Sequence, residues 1–220
     1  VQGGHRPSPT AGSGIIGRIM ADAPTFELDA ATGLLRGVRQ VLSPHHDARP
    51  AGQPPEIVVV HGISLPPGEF GGPWIDRLFC GDLPPEAHPF FADIVALRVS
   101  AHLLVRRDGS VTQYAPLQMR AWHAGVSRWQ GREACNDFSI GIELEGTDEI
   151  PYEDAQYAAL SALLAALRRV WPVLDPDRIV GHSDIAPGRK TDPGASFDWG
   201  RLRAAQRGPT GLAGEGESAA

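Results

Sequence analysis

Two short segments, Gly181-His182-Ser183-Asp184 and Lys190-Thr191-Asp192-Pro193-Gly194, together with a distant histidine, His61, hold the residues best suited to do chemistry in this chain. They offer two imidazoles, carboxylates and an ammonium group two residues from Asp192. A hydrolytic zinc commonly takes three protein side chains and keeps one position for water. Two histidines and one carboxylate leave such an ion a net charge of about +1, enough to acidify water and polarise a carbonyl. Asp192 is the favoured carboxylate, because a Gly/Pro-rich segment can be shaped to present it. A competing reading makes Asp184 and Asp192 turn-forming or capping residues. His45 and His46 form another pair, although adjacent histidines often point apart and Pro44 and Asp47 mark an exposed turn. Residue types and spacing alone leave these alternatives open.

The elements that must position these groups are readable in outline. His61 closes Ile57-Val58-Val59-Val60, an apolar β-branched run that predicts a buried strand. Arg178-Ile179-Val180 predicts a second, short strand that leads into His182 in the same way. Ligands of α/β sheets collect beyond strand ends. Val99 to Arg106 and Val111 to Tyr114, joined across Asp108-Gly109, predict a hairpin. In a strand from Ser139 to Glu145, Ile140, Ile142 and Leu144 share one face, and Gly141, Glu143 and Glu145 share the other. Tyr152 to Val170 predicts the one long helix, with Tyr157, Leu160, Leu164, Leu167 and Trp171 at spacings of three and four, stopped by Pro172. Its start is poorly capped: Glu153 stands where Ser or Thr is expected, with Asp154 as substitute. Trp74 to Phe79 suits a short helix, and Leu65 to Pro73 and Pro84 to Pro89 read as loops. This order predicts an α/β fold, a mixed central β-sheet flanked by helices, without internal repeats.

The 220 residues suit a single domain. Residues 1–15 and 208–220, rich in small and turn-forming residues, are expected to be disordered tails around a folded body at 16–207. A net charge of -6 argues against a nucleic-acid backbone or an anionic membrane surface as partner. Cys80 and Cys135 read as two reduced thiols and not as a disulfide framework. No signal-like start and no run of eighteen apolar residues is present, so a cytoplasmic protein without an obligate protein partner is expected.

Longer stretches carry a family resemblance. His61-Gly62-Ile63-Ser64-Leu65-Pro66-Pro67-Gly68-Glu69-Phe70-Gly71-Gly72, Ser100-Ala101-His102, Arg120 through Ser127, Asn136 through Gly146 and Gly181 through Gly194 resemble the AmpD-type N-acetylmuramoyl-L-alanine amidases, in the right order over roughly His45 to Trp199. The wider group includes the phage T7 lysozyme-like amidases and the peptidoglycan recognition proteins, so the resemblance implies their zinc amidase fold. It implies Zn2+ on His61, His182 and Asp192, Glu143 as general base and Lys190 as oxyanion stabiliser. The implied substrates are 1,6-anhydromuropeptides from cell-wall turnover, cut between the lactyl carbonyl of the muramoyl group and L-alanine. Glu143 and Glu145 lie on one strand face, and only the resemblance favours Glu143 as base over Glu145.

Four further residues are candidate substrate contacts. His123 either lines the cleft near the metal or is hydrogen-bonded in a loop. Trp122 either packs on the sugar or peptide or belongs to the core. Asn136 is a candidate donor to bound peptide, and Arg98 a candidate partner for a peptide carboxylate. The loop from Leu65 to Pro73 is expected to rim the cleft. Three positions depart from the family pattern: Gly62 replaces the usual Asn, Ser183 a frequent Cys, and Ala134 a common Arg.

Overall fold

The apolar runs form the centre of a six-stranded mixed sheet. In this computed structural model, residues 24–207 are described. The tails expected at 1–15 and 208–220, and the start of the body at 16, lie outside the described residues. The strands are β1 (Arg39–Gln40), β2 (Ile57–Ile63), β3 (Leu103–Val105), β4 (Val111–Gln113), β5 (Ser139–Glu145) and β6 (Ile179–Gly181). Their spatial order is β6-β2-β5-β3-β4-β1. β2 runs parallel to both β5 and β6, β5 runs parallel to β3, and only β3 and β4 pair antiparallel. The seven residues of β5 are all buried, as expected of a strand covered on both faces.

Among the described residues, five α-helices accompany the sheet: α1 (Trp74–Cys80), α2 (Pro89–Ile94), α3 (Asp154–Val170), α4 (His182–Ile185) and α5 (Trp199–Arg207). On one face Val58, Val60, Ile140, Ile142 and Leu144 pack against Leu160, Leu163, Leu164 and Leu167 of α3 and Leu202 of α5. Ile57 and Val59 point the other way, toward Ala124, Phe138 and Ile185. Leu104 joins α1 and α2 residues Ile75, Leu78, Phe79 and Phe91. The chemistry-bearing residues of β2 and β5 project on this second face, away from α3.

The structure amends the sequence reading at two places. The first arm of the hairpin is Leu103–Val105 and not Val99 to Arg106, because the Ser100 N–H bonds Trp122 O in a neighbouring loop. The start of α3 is better satisfied than Glu153 alone suggests. Gln156 Oε1 accepts the Glu153 N–H at 3.0 Å, while Gln156 Nε2 donates to Val105 O and Glu145 O. This fully buried amide therefore ties the helix start to the ends of β3 and β5. Both cysteines are free thiols.

Candidate active site

Register places the first groups together. In the β2–β5 ladder His61 stands opposite Glu143, so an imidazole and a carboxyl emerge side by side at the carboxyl ends of two parallel strands. His182 opens α4 directly after β6, which flanks β2 on its other side. Asp184 caps that turn: its Oδ2 accepts the Gly181 N–H at 2.7 Å, which gives it the structural role and leaves Asp192 free. The Ser183 N–H bonds Asp192 O at 3.0 Å and brings the second segment back across the first.

The result is a tight triad. His61 Nδ1 lies 3.0 Å from His182 Nδ1, and Asp192 Oδ2 lies 3.2 Å and 3.0 Å from these two nitrogens. Among the described residues, His61, His182 and Asp192 are the one group of potential ligands that converges in this way. His45 and His46 do not form a metal pair, because their Nδ1 atoms are engaged by Val99 O and Ser43 O.

The donor set fits a cation. His182 Nε2 faces the acceptor Ala124 O at 3.1 Å and so carries the proton, which leaves Nδ1 as a lone pair beside the Asp192 carboxylate. His61 Nε2 faces His123 Nδ1 at 2.9 Å, and His123 Nε2 faces Ser139 Oγ at 3.0 Å. A chain of N–H donors running from His61 to His123 to Ser139 again leaves His61 Nδ1 as a lone pair. With bonds of about 2.1 Å, ligand atoms in a tetrahedral zinc site lie roughly 3.4 Å apart, close to the separations found.

Burial sets the charge states. It holds the His61 pKa down to about 4, with the Asp192 contact opposing, so His61 is neutral and able to bind a metal. Glu143 goes the other way. Burial, then the charge of Asp192, pushes its carboxyl well above the ordinary value, with Lys190 opposing. Its Oε2 is buried and has no hydrogen-bond partner.

These groups line one cleft of about 210 Å³, walled by Ile63, Leu78, Phe79, Leu97 and Val99 and holding His61, His123, Glu143, His182, Lys190 and Asp192. Larger cavities, of about 640 Å³ beside Arg39 and Arg106 and about 600 Å³ beside Arg128 and Arg189, hold none of the triad or Glu143. Lys190 is exposed at the cleft. Glu145 lies outside it: its Oε1 accepts from Arg106 at 2.9 Å and from the Gly71 N–H at 2.6 Å, which anchors the loop from Leu65 to Pro73.

Two glycines make room at the site. A Cβ on Gly141 would lie 2.4 Å from His123 Cγ, so the His123 ring can rest on β5 only at a glycine. A Cβ on Gly62 would lie 2.4 Å from Tyr152 Oη, which itself donates to Pro193 O at 2.9 Å beside Asp192. The remaining candidates spread out. Arg98 is exposed next to the lining residues Leu97 and Val99. Trp122 turns its Nε1 to Asp47 Oδ1 at 3.2 Å and stacks on His45, outside the cleft lining. Asn136 Oδ1 accepts from the His123 and Ala124 N–H groups at 3.1 Å and 2.8 Å.

Sequence reasoning missed Arg49. Its guanidinium donates to Leu117 O, Gln118 O, Asn136 O, Asp137 O and Ser139 O, and burial lowers its pKa to about 10. Without this cation the loop carrying Asn136 would leave several carbonyls unpaired.

Known proteins match the same region. The N-acetylmuramoyl-L-alanine amidase family model covers residues 51–195. The chain belongs to this amidase family. The 1,6-anhydro-N-acetylmuramyl-L-alanine amidase AmpD of Escherichia coli (strain K12) is 63% identical over 171 residues, which cover 78% of this chain and 93% of that protein. A crystal structure of a selenomethionine AmpD derivative superposes with a TM-score of 0.78 at 61% identity, covering 81% of this amidase and 98% of that chain. Escherichia coli AmiD, solved with the substrate anhydro-N-acetylmuramic acid-L-Ala-D-gamma-Glu-L-Lys, is more distant. Its TM-score is 0.52 at 30% identity, over 70% of this amidase and 59% of that chain. The zinc amidase fold and the enzyme class expected from the sequence both hold.

Proposed function

We propose that this amidase is a zinc enzyme that hydrolyses the bond between the lactyl carbonyl of 1,6-anhydro-N-acetylmuramic acid and L-alanine in muropeptides. The observation that carries the reading is the convergence of His61 Nδ1, His182 Nδ1 and Asp192 Oδ2 beside the unpartnered Oε2 of Glu143. The likeness to enzymes named for the anhydro sugar supports the substrate. His61, His182 and Asp192 would hold the ion, which supplies Lewis acidity toward an amide carbonyl and toward water.

The chain's own groups do the rest. Glu143 Oε2 takes a proton from the attacking water and returns it to the leaving alanine nitrogen. The raised pKa of this carboxyl suits it to hold that proton between the two transfers. Lys190 sets positive charge where the carbonyl oxygen becomes negative, an interaction stronger in the transition state than in the substrate. Leu78, Phe79, Leu97 and Val99 give the cleft an apolar wall, which lowers the local dielectric and strengthens both contacts. Arg98, exposed beside the rim, is the cation available to a stem-peptide carboxylate.

The same reading places the enzyme in the cytoplasm, in reuse of wall fragments. Among the described residues no helix is long and apolar enough to cross a membrane. Side-by-side assay of a soluble anhydromuropeptide and intact sacculi tests the substrate, with products identified by mass. Free peptide and anhydromuramic sugar from the soluble substrate are expected. Faster release of peptide from sacculi would overturn the assignment to recycling.

A further inference from the structure

We propose that Asn136 is a positioning residue for the metal centre, fixing the outer partners of both histidine ligands through one side-chain oxygen. Its Oδ1 accepts the N–H groups of two consecutive residues, His123 at 3.1 Å and Ala124 at 2.8 Å. Each of these residues then holds a different ligand from behind. The His123 ring meets His61 Nε2 at 2.9 Å, and Ala124 O meets His182 Nε2 at 3.1 Å. The far nitrogen of each ligand ring therefore depends on one dipeptide, and the dipeptide depends on Asn136. This inference rests on the zinc reading of the site.

The surroundings make the clamp rigid. Arg49 Nη1 donates to Asn136 O at 3.0 Å and to Asp137 O at 3.1 Å, which pins the segment that carries the amide. Ser139 Oγ backs His123 at Nε2, and Arg189 Nη2 shares Ala124 O at 2.7 Å. The partners behind metal-bound histidines set tautomer and ring orientation, and their loss costs about 10–100-fold in metal affinity. A clamp that serves two ligands together is well placed to produce an effect of that size from a residue that touches neither. The acceptor oxygen is the functional atom here, so a carboxylate at the same position preserves the role and an amide donor does not matter.

Zinc titration of the metal-free full chain against a chromophoric chelator decides between this role and a substrate contact, alongside kcat and KM of the zinc-saturated enzyme. Asn136→Ala is expected to weaken zinc about 10–100-fold. Asn136→Asp, which keeps the acceptor and loses the amide donor, is expected to retain both zinc affinity and KM. Unchanged zinc affinity in Asn136→Ala with raised KM in both variants overturns the proposal. Where Asn136→Ala does not fold, Asn136→Asp decides alone, and weakened zinc or a raised KM in it overturns the proposal. A wild-type chain that binds no stoichiometric zinc is a separate outcome, which removes the zinc reading and the clamp with it.

Discussion

In the proposed mechanism Glu143 and Lys190 divide the charge work at the cleft, and their environments differ. Glu143 is buried with an unpartnered Oε2, whereas Lys190 is exposed. Glu143→Gln keeps the shape and removes the proton acceptor, so kcat should fall about 10²–10⁴-fold while zinc content stays at the wild-type level. Lys190→Ala should lower kcat about 10²–10³-fold with a smaller change in KM, as for loss of a contact made mainly in the transition state. Steady-state assays paired with metal analysis check both. At this scale residue types and spacing left His61, His182 and Asp192 as one set among alternatives; the family resemblance singled it out, and the fold brings the three together. Asn136, Arg49 and Gln156 were not readable in these roles, because their partners are backbone groups that only the folded chain brings within reach. Gly141 was placed on the correct strand face, but the need for a glycine there became visible only with the His123 ring against it.

The strands β2 and β5 act as the frame, and their parallel register sets His61 beside Glu143. Alternation along β5 puts Glu145 on the same face, where it anchors the loop that begins after β2. The pair of Arg106 and Glu145 is nearly buried, at 15% and 3% exposure, and Arg106 also reaches Asp76 at 3.5 Å, so loss of Glu145 leaves the guanidinium one carboxylate partner. Glu145→Ala should destabilise the enzyme by about 1–3 kcal/mol, through lost charge-assisted hydrogen bonds, measured by urea unfolding. It should also loosen the loop from Leu65 to Pro73 through loss of the Gly71 N–H contact, measured by faster amide exchange at Gly71. Apolar runs and the α3 periodicity sufficed to predict the longer elements. The two-residue edge strand Arg39–Gln40 is exposed and too short to carry a pattern, and only pairing with β4 defines it. Ser100 likewise left the expected strand for a bond to a loop distant in sequence, which local preference does not encode.

Across the whole molecule, buried neutral histidines link the site to acid stability. His102 is fully buried, its Nδ1 accepting from the Gly141 N–H and its Nε2 facing Met119 O. Burial, reinforced by the Arg49 charge, lowers its pKa from 6.5 to about 3. The unfolded chain therefore binds a proton that the folded chain refuses between these values. Stability is full above pH 6.5 and falls with acid toward pH 3, by up to about 1.4 kcal/mol per pH unit for this one group. In His102→Gln the urea-unfolding stability should be lower overall and its acid slope shallower by about one proton. The same buried layer leads through His123 to Nε2 of His61, the nitrogen opposite the proposed ligand atom Nδ1. Peptide release and zinc content, followed in one preparation through chelation and zinc restoration, test the central claim most directly. Loss of release as the zinc leaves, full recovery on its return, and neither tight zinc nor turnover in His182→Ala are predicted. Release of free peptide that persists after complete removal of zinc would contradict the account.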